Sequence, residues 1–128
     1  MDNTPKYISV DTMGAGPELE ALVAEMNMGW RKPDSLMYYP LMMNDPQGNC
    51  TNVPEFSRDL TVAMQLIDKW EGMLDMTRSR SGNWCVRLVD GEVVAMAYAR
   101  ILPLAICRAA LKAVLPVPEV EYSEDDED

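Results

Sequence analysis

The chain contains no histidine, and that absence removes more chemistry than any residue present supplies. Ser-His-Asp and Cys-His nucleophile systems need an imidazole, as does every metal site or general base built on one. The remaining strong nucleophiles are Cys50, Cys85 and Cys107, scattered along the sequence with no C-x-x-C spacing. An odd number of isolated thiols makes neither a disulfide framework nor a zinc set, so no metal and no cofactor is expected. A reactive thiol needs an exposed, positive setting. Cys107, in "LAICRAALK", is flanked by Ile106 and two alanines, and its neighbour Arg108 points elsewhere on a helix. It reads as a core residue. Cys85 is expected either beneath a second layer or at a binding face, and Cys50 in an accessible loop. Glu18, Glu20 and Glu25 read as helical surface charges, and no carboxylate pair stands out as an acid-base couple. No catalytic residue is therefore assigned.

Two stretches could bind rather than catalyse. "SLMYYPLMMND" places Met37, Tyr38, Tyr39, Met42 and Met43 close together. Methionine and tyrosine suit adaptable interfaces, so the segment is either a partner-binding patch or a cover folded over the core. "TRSRSGN", followed by the next strand, supplies Arg78, Arg80 and Arg87. Guanidinium groups could hold the phosphates of a nucleotide signal, although the glycine spacing of a P-loop is missing. The alternative there is a solvated turn.

The elements that must position these groups follow from periodicity. "GPELEALVAEMNMGW" reads as a helix opened by Pro17 and closed by Gly29, with Leu19, Leu22, Val23 and Met26 on one stripe. Residues 31–53 have no helical or strand period and read as a long loop. "FSRDLTVAMQLIDKWEG" reads as a second helix capped by Ser57, its stripe formed by Leu60, Ala63, Met64, Ile67 and Trp70. From 73 to 100 the period becomes two, giving a three-stranded antiparallel meander with Asp90-Gly91 as a hairpin turn. Its third strand is apolar on both faces, which predicts a central or doubly covered position. A last helix begins at Pro103, with Leu104, Cys107, Ala110, Leu111 and Val114 inward and Arg108 and Lys112 on a wet edge.

The order α-α-β-β-β-α predicts an α+β fold in which a three-stranded sheet packs with about three helices. Residues 1–15 read as a leader, with "YISV" as a short edge strand; 16–116 form one domain; 117–128 form an acidic, disordered tail. Formal net charge is −10, and seven of those charges lie in 119–128. Direct grip on nucleic-acid phosphates is not expected from such a chain. A basic protein partner, or mimicry of DNA, suits it better. Reduced scattered cysteines, the polar N-terminus and the lack of a long apolar run predict a cytoplasmic protein with no membrane contact.

Three pieces together resemble the phage ABA-sandwich domain family, small proteins encoded by phages and prophages. They are "LEALVAEMNMGW" (19–30), "FSRDLTVAMQLIDKW" (56–70) and "NWCVRL" with "LPLAICRAALKAV" (83–114). The family's Gly-Trp helix end is matched by Gly29-Trp30, and its Ser-capped helix from Ser57. Its closing Pro-x-Ala-Ile-Cys-Arg-Ala-Ala-Leu helix is matched by Pro103, Ala105, Ile106, Cys107, Arg108, Ala109, Ala110 and Leu111. Arg58 and Thr61-Val62 depart from the small residues usual in the second helix. The resemblance implies a fold and a phage origin, not a reaction.

These readings predict an accessory protein of a phage or prophage, working in the host bacterial cell by non-catalytic binding of a host protein, for instance as an inhibitor of a defence system. A nucleotide-binding sponge and an enzyme using carboxylates or an oxygen-held metal are the alternatives. A homodimer is compatible with an exposed sheet face.

Overall fold

The computed structural model describes residues 10–115. The first helix, α1 (Pro17–Met28), has Pro17 at its first position, where the missing N–H has no helical partner to lose. It ends where Gly29 turns left-handed at φ 80° and the Trp30 N–H returns to the Ala24 carbonyl at 2.9 Å.

The stretch expected to be an irregular loop contains a small antiparallel hairpin, β1 (Met42–Asn44) and β2 (Cys50–Asn52). Strands of three residues are too short to show a period. The turn supplies the order instead: Asp45 Oδ1 accepts from the Gln47 and Asn49 amides at 3.0 and 2.9 Å, as an aspartate in a tight turn does. Asn44 also exchanges two 2.9 Å hydrogen bonds with Arg31, which ties the hairpin to the end of α1.

The second helix, α2 (Leu60–Asp68), is capped by Asp59, whose Oδ1 accepts from Thr61 and Val62. Ser57, expected as the cap, is fully buried just before the helix and bonded elsewhere. The inward face is led by Ala63 and Leu66, while Leu60, the first helical residue, is exposed; the Asp59 cap starts the helix two residues later than a Ser57 cap would.

The meander forms as expected, as β3 (Met73–Arg78), β4 (Trp84–Asp90) and β5 (Val93–Ala99) in the order β3-β4-β5. Asp90 pairs with Val93, so the two-residue loop is Gly91-Glu92, with Gly91 at φ 61°. Against expectation β5 is an edge strand. Ala95, Ala97 and Ala99 are buried, and Val94, Met96 and Tyr98 face outward and are exposed. Both faces are apolar because one is covered and the other is left open, not because both are covered.

Alanines along β5 let the last helix, α3 (Leu102–Val114), lie close on the sheet. It packs on β4 and β5 with one side and receives α1 and α2 on the other. Ala105, Ile106, Cys107, Ala109, Ala110 and Leu111 are all buried, so α3 is the spine of the core. Leu19, Val23, Met43, Phe56, Val86 and Leu88 complete it.

The wet edge expected for Arg108 and Lys112 is instead a brace. Arg108 Nη1 donates to the Tyr98 carbonyl at 2.7 Å and its Nη2 to the Met13 carbonyl at 2.7 Å. Lys112 Nζ donates to the Met96 carbonyl at 2.8 Å and pairs with Asp11 at 2.7 Å. Carbonyls on the open edge of β5 are thereby occupied, which hinders another strand from adding there. The same contacts hold residues 10–13 to the domain, where Val10 opens a short 3-10 turn and is buried. Residues 7–9 of the expected edge strand, and the acidic segment 117–128, lie outside the described residues.

Candidate functional site

The Met/Tyr segment divides between core and solvent. Met43 is fully buried, and Tyr39 and Met42 are half-buried. The Lys32 ammonium lies 5.4 Å from the centre of the Tyr39 ring. Met37 and Tyr38 project outward together with Leu36 and Leu41, at exposures between 57% and 74%. A chain of turns holds them: the Tyr39 amide donates to Leu36, the Leu41 amide to Tyr38 at 2.7 Å, and the Tyr39-Pro40 peptide is cis. Met43 and the β1–β2 hairpin root this turn on one side, and the Val53 amide reaches the Leu41 carbonyl at 2.9 Å on the other. The segment divides by burial: Met43 and Tyr39 pack on the core, while Leu36, Met37, Tyr38 and Leu41 stay exposed. Leu36 and Leu41 were not singled out by the sequence, because a stretch without a period gives no face to assign them to.

A second feature was missed. Glu20, expected on the surface, is 1% exposed. Its Oε2 accepts from the Ser57 hydroxyl at 2.7 Å, the Ser57 amide at 3.2 Å and Arg58 Nε at 3.0 Å, and its Oε1 accepts from Arg58 Nη2 at 2.8 Å. The Ser57 oxygen in turn accepts from the Gly16 amide at 2.9 Å. A buried carboxylate is tolerable only with this kind of satisfaction. The hydrogen bond to Glu20 also raises the Arg58 pKa above its ordinary value. The clamp joins the N-terminal end of α1 to the segment entering α2. Arg58, one of the departures from the family pattern, supplies its forked bond.

The arginines do not converge. Arg78, at the end of β3, stacks over Trp84 with its guanidinium 5.9 Å from the ring centre, and Arg80 is exposed in the turn that follows. Arg87 lies further along β4, on the outer face, where its Nη2 reaches Asp75 Oδ2 at 3.0 Å. Around that pair the outer face presents Met73, Val94, Met96 and Tyr98 to solvent.

Cys107 is fully buried, and burial, followed by the nearby Glu20 charge, pushes its thiol far above the usual range. Cys85 is half-buried opposite Tyr98 on the outer face, and Cys50 is exposed. Among the described residues no group of three or more His, Cys, Asp or Glu side chains could hold a metal ion, and no helix is long and apolar enough to cross a membrane.

The geometry defines a small α+β domain that carries its exposed chemistry on protruding apolar side chains. The chain belongs to the Phage ABA sandwich domain family, whose pattern matches residues 21–111, as the Gly29-Trp30 and Pro103–Leu111 motifs implied. It is also similar to a phage protein from Bacillus cereus ATCC 14579, seen in a 2.0 Å crystal structure. The TM-score is 0.70 and the identity 22%, over 85% of this chain and 100% of that one. At that identity the likeness is one of fold. No curated protein matches the sequence.

Proposed function

We propose that this phage-family protein acts by non-catalytic binding of a host protein in the bacterial cytoplasm, with the Leu36–Leu41 turn as the contact. One observation carries the reading: four large apolar side chains protrude from a turn whose neighbours Met43 and Tyr39 are anchored in the core. A turn whose backbone is already held by hydrogen bonds loses little conformational freedom on docking, which is one way preorganised anchors gain affinity. Lys32 beside Tyr39 makes a polar rim. The seven acids of 119–128 favour a basic partner by long-range attraction. Inhibition of a bacterial defence system would follow if the contacted surface is one that system needs.

The test is affinity capture from host lysate with the wild-type chain and with Met37→Asp/Tyr38→Asp. The reading requires a stoichiometric protein retained by the first and lost by the second. A partner held equally by both would overturn it.

A further inference from the structure

The outer face of the β3-β4-β5 sheet is a second exposed apolar surface, and its charges are sorted by end. Among the described residues the helices lie on the opposite side, where α3 covers Ala95, Ala97 and Ala99. Met73, Val94, Met96 and Tyr98 are left in solvent, with exposures from 36% to 63%. Strand order and register put Glu71, Asp90 and Glu92 at one end of the sheet and Arg78, Arg80 and Arg100 at the other. The middle is neutral, since Arg87 pairs there with Asp75 at 3.0 Å. We propose that this face docks on the same face of a second copy of the chain, with the strands of the two sheets running in opposite directions.

A two-fold interface must be complementary to itself. A face acidic at one end and basic at the other meets that condition when the strands oppose, and stacks like charges when they run the same way. A two-fold axis across the strands brings Glu71 of one copy to Arg80 of the other, and Glu92 to Arg100, each contact occurring twice. The two ends of a strand lie about 20 Å apart, beyond a Debye length of about 8 Å, so each end responds to what is laid over it. Methionine and tyrosine are enriched at such contacts. Association through the β5 edge is hindered instead, because Arg108 and Lys112 already hold its Tyr98 and Met96 carbonyls. The sheet spans only about 14 by 23 Å, a footprint smaller than the about 800 Å² per partner of a standard interface. The dimer is therefore weak and reversible, with Kd of about 10–100 µM.

Sedimentation velocity on the full-length chain tests the assignment. Wild type should pass from monomer to dimer between about 1 and 500 µM. Met96→Asp, in the middle of the face, should weaken the dimer at least about tenfold. Arg80→Glu/Arg100→Glu and Glu71→Lys/Glu92→Lys should each stay monomeric alone, and should pair when mixed in equal amounts, because the two reversals then face each other. Pairing on mixing also shows that both variants are folded. A wild type still monomeric at about 500 µM, a dimer indifferent to Met96→Asp, or two charge-reversed chains that do not pair when mixed would each overturn the assignment, leaving the face to solvent or to a different protein.

Discussion

Arg58 grips Glu20 with two hydrogen bonds, 3.0 Å from Nε to Oε2 and 2.8 Å from Nη2 to Oε1, although 37 residues separate Glu20 from the neighbouring Ser57 that shares the same carboxylate. The carboxylate is buried and the guanidinium is partly open to solvent, with side-chain exposures of 2% and 43%. The two ends of the contact therefore carry unequal risk. Losing Arg58 leaves a buried charge; losing Glu20 leaves a guanidinium that water can reach but strands the buried Ser57 hydroxyl and amide.

Arg58→Ala should consequently destabilise by about 2–4 kcal/mol, since it strands a buried carboxylate. Adding Glu20→Gln to it, which removes the charge and keeps an oxygen for the buried Ser57 donors, should restore part of that loss rather than deepen it. Urea unfolding of the two single variants and the double gives the coupling. Strict additivity would mean that the pair does not act as a unit.

Gly72 is held by a close approach. A Cβ there would strike the Val89 carbonyl oxygen, which is backbone and cannot swing aside. Gly72→Ala should cost about 1–3 kcal/mol. Gly14→Ala, where a Cβ meets nothing within 4 Å, should stay within about 0.5 kcal/mol of wild type. Thermal unfolding of both variants checks the contrast.

Cys107 gives a pH prediction. Its folded pKa is raised above the ordinary 9.0 by burial first and the Glu20 charge second. Below pH 9.0 both states hold the proton and pH has no effect through this group. Above it the unfolded chain releases a proton that the folded chain keeps, so stability falls as pH rises. Wild type should lose about 1.4 kcal/mol per pH unit more than Cys107→Ala across this range. At neutral pH a thiol reagent should label Cys50 first and spare Cys107 until the chain unfolds.

Arg108 spans two backbone carbonyls, one on β5 and one at Met13. Arg108→Ala should cost about 1–3 kcal/mol by leaving the part-buried Met13 carbonyl unpaired. It should also speed amide exchange in residues 10–15 and promote edge-to-edge association through β5. Hydrogen exchange and size-exclusion chromatography measure the two effects separately.

Much of this fold was legible because its signals are local. Pro17 and Gly29 bracket α1, the Asp90-Gly91 pair announces the β4–β5 turn, and the run around Cys107 is apolar enough to be core. The illegible parts depend on distant partners. Glu20 has the sequence context of any solvent-facing helical glutamate, and only Ser57 and Arg58 make its burial tolerable. Ser57 looks like a cap because serine before a helix usually is one, yet its hydroxyl is spent on Glu20. The position of β5 was misread because apolarity on both faces does not report strand order, although three inward alanines hinted at a helix lying close. In the candidate site Met37 and Tyr38 were named from residue type alone. Met43 was named on the same grounds and is core, since type does not say which way a side chain in a turn will point.

The most direct measurement is the equilibrium affinity of the captured host protein for four purified chains: wild type, Met37→Asp, Tyr38→Asp and, as a surface control, Arg80→Ala. The Leu36–Leu41 turn as the contact predicts at least about a thirtyfold loss of affinity for each of the two aspartate variants, with unfolding midpoints unchanged and Arg80→Ala indistinguishable from wild type. Full affinity in both aspartate variants, or a loss confined to Arg80→Ala, would contradict it.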